Sequence, residues 1–423
     1  MTTLTADARL VGRLSQADID CLRETLLDCQ RRFGTYRRRF ETAGIGAEDL
    51  LASDPLELLG RLDTLNGEDY SLLADEALAV TEAIIDMETS SGTTACPKRR
   101  FISADDAAVE EELLAEMFAV CGMGTSDRVA CLDVEPLAVM ASFTGALERL
   151  GVQEAYAYTV SPSLGGSLAD LRRLDPTVLI SVPSIIQRCL PALTAEFANG
   201  GRGHLSKVVY VGESLPAKTR RTLESTLGVE VFSYYGAAET SALGIECAAH
   251  DGLHLFTDRN LFEVQSRGEG NAGELLVTSL RLHAMPLLRY PLGDVIEPKL
   301  GPCDCGLNYP RIEVLGRADE SVSVLGASIG YEALYDAIYD GPGESMQLVL
   351  TGDARDRLTI VLPEELEPNE PSMRDAVLAG QPDLEFLVTG GYVDLEFSYT
   401  FGSESPNSRK LQRVIDHKGS YAS

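Results

Sequence analysis

The sequence predicts an α/β protein, with a large N-terminal α/β domain over 1–316 that contains a β-rich subdomain, and a small α+β C-terminal domain over 317–423. Three observations predict it. At 423 residues the chain is too long for one hydrophobic core. In its middle, short apolar runs alternate with helical stretches, which is the rhythm of buried strands in a largely parallel sheet. Near residue 255 this gives way to short strands with turns, and beyond Gly316 to a tail of about a hundred residues, an ordinary domain size.

Residues 15–90 read as mostly helical. From Asp18 to Arg39, apolar Ile19, Leu22, Leu26, Leu27 and Phe33 recur at helical spacing, with Gln30, Arg31 and Arg32 on the other side. From Glu68 neither Pro nor Gly interrupts the chain before residue 90, and Ala77-Leu78-Ala79-Val80 continues the pattern. Asp105 to Val120 is expected as a further helix, its acidic first turn suiting the positive end of the dipole. Strands are expected at Val129 to Leu132, Thr177 to Val182 and Val208 to Val211, and a helix from Ala217 to Leu227. The β-rich part holds Phe262 to Val264, Gly273 to Thr278 and Leu287 to Tyr290. In the tail we expect a helix from Tyr331 to Tyr339 and strands at Gln347 to Thr351, Leu358 to Leu362 and Tyr392 to Tyr399. The Pro- and Glu-rich stretch 363–371 reads as an exposed turn.

Composition narrows the class. With 44% hydrophobic and 24% charged residues, the chain is an ordinary soluble globular protein. No stretch approaches the roughly 20 apolar residues of a spanning helix. Met1-Thr2-Thr3-Leu4-Thr5 lacks the basic start of a secretory signal, so no membrane association is expected. A net charge of −29 argues against nucleic acid and requires that any phosphate-bearing ligand meet a locally basic site. Nine cysteines, an odd number without a disulfide-like framework, point to a reduced, cytoplasmic protein. A monomer or homodimer is expected.

The chemistry concentrates in Thr89-Ser90-Ser91-Gly92-Thr93-Thr94-Ala95-Cys96-Pro97-Lys98-Arg99-Arg100. Hydroxyls, backbone N–H groups and a cation suit a polyphosphate there, though without the Gly-Lys-Ser/Thr of the usual nucleotide loop. Alone, such a stretch is an ordinary polar turn. Its company decides. Tyr234-Tyr235-Gly236-Ala237-Ala238-Glu239-Thr240 follows a strand, Arg289-Tyr290-Pro291-Leu292-Gly293-Asp294 lies in the β-rich part, Gly316-Arg317-Ala318-Asp319 opens the tail, and Ser408-Arg409-Lys410-Leu411 lies near its end. Glu239, a carboxylate at a strand end, suits Mg²⁺, a hard cation that takes oxygen ligands and phosphates.

This order of motifs resembles the adenylate-forming superfamily of acyl-CoA synthetases, adenylation domains and luciferases. Val211-Gly212-Glu213 and Pro302-Cys303-Asp304-Cys305-Gly306 point within it to the phenylacetate-CoA ligase-like branch. The resemblance implies that ATP activates a carboxylic acid to an acyl-adenylate, with release of pyrophosphate, before transfer to CoA or a carrier-protein thiol. It implies catalytic roles for Lys98 and Lys410, and nucleotide contacts from Ser90, Ser91, Gly92, Thr93, Thr94, Gly212, Glu213, Tyr235, Gly236, Asp294 and Arg317. Asp294 is similar to the family's ribose-binding aspartate, and the resemblance implies Asp319 as the hinge and the small domain as a mobile lid. Departures lie at Ala95, Ala238 and Pro291-Leu292, where the family has glycine, threonine and a polar pair; no charged catalytic group is lost.

Phe143, Pro183, Tyr234 and Ala237 are expected to wall the acid pocket, their aromatic rings favouring a small aryl-type acid. Cys247, Cys303 and Cys305 with a histidine suit a structural zinc. His254, at a strand start, and His250, at Cys-x-x-His spacing, both qualify. Two alternatives stay open: passage of the acyl group to a carrier protein or an amine, and a weakened relative that only binds nucleotide or acyl-adenylate.

Overall fold

The computed structural model describes residues 8–81, 83–89, 98–133, 136–160, 168–197, 204–212, 215, 217–266, 270–317, 321–324, 327–339, 346–352, 356–399 and 414–416. It divides into two compact units, one built mainly from the chain up to Leu315 and the other mainly from Gly316–Ser423. Among the described residues no helix is long and apolar enough to cross a membrane.

The large unit is organised on a 12-stranded sheet. Its order begins Ala8–Leu10, Asn260–Ser266, Gly273–Ser279, Tyr290–Lys299, Arg311–Arg317 and Leu253–Leu255. It continues through Ser241–Glu246, Glu230–Ala237, Lys207–Tyr210, Val178–Ser181, Arg128–Asp133 and Glu154–Thr159. The last five run parallel to one another. Glu230–Ala237 is the switch: it pairs parallel with Lys207–Tyr210 and antiparallel with Ser241–Glu246. The β-rich part is therefore not a sheet of its own, because one shared strand hydrogen-bonds to both halves.

Parallel strands are covered on both faces. Val129, Cys131, Val178, Ile180, Val209 and Phe232 pack under Leu113, Met117 and Phe118 of the helix Ala104–Val120 and Phe143 of Pro136–Arg149. Their neighbours Ala130, Leu132, Leu179, Val208 and Val231 face Ile186 and Leu193 of Pro183–Phe197 and Leu223 of Ala217–Leu227. The antiparallel half packs Leu261, Leu275 and Val277 against Leu22, Leu26, Tyr36 and Tyr70 of the N-terminal helices.

Several expectations are corrected. The helix expected from Asp18 to Arg39 is two, Gln16–Arg32 and Gly34–Thr42. The Glu76 carboxylate intervenes: it accepts from the Thr35 N–H at 3.0 Å, and a Cβ on Gly34 would come within 2.9 Å of it. The helix Gly67–Val80 does not run on to residue 90; Ala83 is left-handed at φ 56°, and Ile84–Thr89 pairs with Arg99–Ser103 in a hairpin. The strand expected from Leu287 begins at Tyr290, because Arg289 is held at φ 56° with its guanidinium 3.1 Å from the buried Glu263 carboxylate.

In the small unit, a four-stranded sheet runs Val393–Ser398, Asp356–Val361, Gln347–Gly352, Val414–Asp416. Leu348, Leu350, Leu358, Ile360, Leu334 and Val377 share its core. The stretch read as an exposed turn at 363–371 is a 3₁₀ segment, Glu364–Asn369, leading into the helix Glu370–Gly380. Pro371 is tolerated there because the first turn of a helix has no N–H bonds to lose. The helix Pro382–Thr389 was not expected; its apolar Leu384 and Leu387 join this core.

Candidate active site

The Tyr-Tyr-Gly motif lies on the switch strand, and Glu239 sits in the turn that follows, where the chain leaves the carboxyl end of the parallel strands. Open α/β sheets bind ligands at such a reversal. Gly236 is needed for its size: an added Cβ would stand 2.6 Å from the Ser241 carbonyl oxygen.

Lys98 enters this turn from the hairpin. Its Nζ lies 3.1 Å from Glu239 Oε1 and donates to the Tyr290 hydroxyl at 2.7 Å. Tyr290 in turn donates to Glu239 Oε1 at 3.0 Å. The ammonium also stands over the rings of Tyr290 and Tyr70, at 5.3 and 5.9 Å from their centroids. Burial pushes the Glu239 carboxyl up, but Lys98 and the hydrogen bonds to it outweigh burial, so the carboxyl is held below its usual range. An ionised carboxylate, mostly shielded from water yet beside a cation, is the donor type that Mg²⁺ takes. Tyr290 and Tyr70 are functional candidates that the sequence reading missed. Tyr290 had a signal, four residues before Asp294 in one motif; Tyr70, inside a regular helix, had none.

Asp294 accepts a hydrogen bond from the Tyr235 hydroxyl at 2.6 Å, joining two more of the distant motifs. Gly212 is left-handed at φ 77°, past the carboxyl end of Lys207–Tyr210, where glycine avoids a Cβ penalty. Phe143 and Tyr234 meet edge to face at 5.8 Å, and Phe118 packs on Phe143 at 5.4 Å. Phe143 is thereby a core residue whose ring backs Tyr234. Pro183 opens its helix and is buried, and Ala237 pairs with Ser241 at the end of the switch strand. Ser90, Ser91, Gly92, Thr93, Thr94, Glu213, Asp319 and Lys410 lie outside the described residues, as does the Arg317 side chain.

A second cluster sits in the antiparallel half. One ligand atom each of Cys247, His254, Cys303 and Cys305 falls within 4.8 Å of the others. Cys247 Sγ is 3.6 Å from Cys303 Sγ, and Cys305 Sγ is 3.4 Å from His254 Nε2. His254 Nδ1 lies 3.3 Å from the Tyr309 carbonyl oxygen, an acceptor that places the ring proton on Nδ1 and leaves the Nε2 lone pair toward the thiols. Ligand bonds of about 2.3 Å to sulfur and 2.0 Å to nitrogen span a tetrahedron with edges of this size. His250 is elsewhere, in the turn at φ 51° with Nδ1 3.4 Å from Glu246.

Known proteins resemble this chain in sequence and in fold. The AMP-binding enzyme family matches residues 63–263. The chain is 28% identical over 318 residues to the phenylacetate-coenzyme A ligase of Thermus thermophilus, covering 70% of this chain and 68% of that one. It is 26% identical over 308 residues to the indoleacetate–lysine synthetase of Pseudomonas savastanoi, covering 70% and 74%. Its fold is similar to a crystal structure of 2-hydroxyisobutyryl-CoA ligase in the postadenylation state, with a TM-score of 0.73 over 96% of this chain and 90% of that one at 19% identity.

Proposed function

We propose that this chain, a member of the adenylate-forming superfamily in its phenylacetate-CoA ligase-like branch, is an AMP-forming ligase that activates a small aromatic carboxylic acid and passes it to CoA. In the first half-reaction a carboxylate oxygen attacks the α-phosphorus of ATP and pyrophosphate leaves. In the second, a thiolate attacks the acyl carbon and AMP leaves with the bonding pair. The observation that carries the reading is the meeting of Lys98, Glu239 and Tyr290, with Lys98 and Tyr290 192 residues apart in sequence.

In this reading the Lys98 ammonium offsets charge on the outer phosphates, and Glu239 holds the Mg²⁺ that supplies further charge neutralisation. Asp294, oriented by Tyr235, receives the ribose hydroxyls. Lys410 stands in the sequence where the superfamily places the lysine that meets the acid carboxylate and α-phosphate, and the small unit that carries it serves as the lid. The Cys247, His254, Cys303 and Cys305 set holds a structural zinc: four protein ligands leave no position open for chemistry.

A second acceptor is favoured by one finding. The relative named as a lysine synthetase uses an amine by its name, and it is as similar to this chain as the CoA ligases are. The test offers CoA and lysine separately, with a panel of aryl acids that includes phenylacetate. AMP and pyrophosphate are expected only when a cognate acid is present, with thioester rather than amide as product. Cleavage of ATP to ADP overturns adenylation, and amide formation without thioester overturns the CoA assignment.

A further inference from the structure

Arg100 closes the hydroxyl-rich stretch, and no role is given to it above. Only 3% exposed, it lies on the strand Arg99–Ser103, two residues after Lys98. Its Nη2 donates to Glu88 Oε2 at 2.8 Å across the hairpin, where the two are register partners. The same guanidinium forks onto Glu110 of the helix Ala104–Val120, Nη2 to Oε2 at 3.2 Å, with Nη1 closing on Oε1. The helix that carries Glu110 shares a core, through Leu113 and Met117, with Ala242 of the strand Ser241–Glu246. Ser241, left-handed at φ 61°, opens the strand directly after the Glu239 turn. Ion pairs and packing therefore connect the hairpin that presents Lys98, through Arg100, Glu110 and its helix, to the strand that follows the turn presenting Glu239.

Burying one base with two acids is an expensive way to hold a hairpin on a helix, and an apolar contact would hold it as firmly. What the planar fork adds is direction, because both of its ends must meet carboxylates at once. We propose that Arg100 is a positioning residue, which sets where Lys98 stands relative to Glu239 by clamping Glu88 and Glu110. The adenylation role of that pair rests on the function proposed above.

The test uses the full-length protein with its lysines reductively ¹³C-methylated. The Lys98 signal, assigned by its loss in Lys98→Arg, is expected to be shifted by the Tyr290 and Tyr70 rings beneath it. Arg100→Met should move that signal to the position of exposed lysines. Arg100→Lys, which keeps the charge but not the fork, should leave it between. If Arg100→Met does not fold, Glu88→Gln and Glu110→Gln, which keep the volume, serve the same measurement. Mg·ATP affinity, read by calorimetry, should fall about tenfold in Arg100→Met and recover in part in Arg100→Lys. An unmoved Lys98 signal in a folded variant overturns the proposal. A moved signal in a protein whose parent binds no Mg·ATP sustains the positioning role and removes the adenylation reading instead.

Discussion

Tyr290 serves two charged groups with one hydroxyl, accepting from Lys98 and donating to Glu239. Hydrogen bonds to charged partners contribute about 1.5–3 kcal/mol. Tyr290→Phe is therefore expected to lower kcat/KM for ATP about tenfold to a hundredfold in pyrophosphate exchange. An unchanged value would separate Tyr290 from the reaction. The pair also carries a pH signature. Because the folded Glu239 carboxyl is held below its ordinary range, the stabilisation it provides is present above an unfolded value of about 4.3 and is lost as pH falls through the folded value. Lys98→Met removes the principal group that lowers it and leaves burial, which raises it. On acidification that variant should lose Mg·ATP binding at a higher pH than the parent does. Parallel titration curves for the two proteins would contradict this.

At the scale of elements, the sequence signalled what each segment wants locally, and the structure added what each segment is tied to. The acidic first turn of the helix Ala104–Val120 was legible as a dipole effect. Only the fold adds that the Asp106 carboxylate caps the helix with Ser103 and also binds the backbone N–H groups of His283 and Ala284, at 2.6 and 3.0 Å. That His254, and not His250, lies with the three cysteines has the same kind of origin. Pairing of Leu253 with Ile312 and His254 with Arg311 sets that strand against the one that follows the Cys303–Cys305 loop, a register the spacing of cysteines does not encode. Protein purified without chelator is expected to carry about one zinc per chain. The Cys303→Ser/Cys305→Ser double variant should lose the metal together with several degrees of melting temperature. Metal-free parent protein, or a double variant that keeps its zinc, would remove the site.

For the whole molecule, the prediction concerns the two compact units, each with its own core. With Lys410 as the group that meets the α-phosphate, Lys410→Ala should slow adenylation by orders of magnitude. Thioester formation from preformed acyl-adenylate should stay near the parent rate. Asp319→Pro should impair mainly that second half-reaction, because proline fixes the φ angle that a hinge must vary. Single-turnover measurement of each half-reaction separates the two effects. Equal loss of both in Lys410→Ala would end the two-position account.

The sequence by itself determined the reaction class and much of the middle of the fold. Phosphate chemistry needs hydroxyls, a lysine and a magnesium-binding carboxylate in short local motifs, and buried parallel strands are continuous apolar runs; both are written within a few residues. The helix expected from Asp18 and the strand that began too early failed where a distant carboxylate, Glu76 or Glu263, overrode local preference, and the helix from Gly67 stopped where the chain turns at Ala83 into the hairpin. Only the tertiary structure decided which groups meet. Lys98 reaches Glu239 and Tyr290, Tyr235 reaches Asp294, and Arg100 reaches Glu110, because strand order and register bring separate stretches of chain to one turn. Those contacts depend on hydrogen-bond pairing between strands far apart in the sequence, and no local pattern of side chains records that pairing.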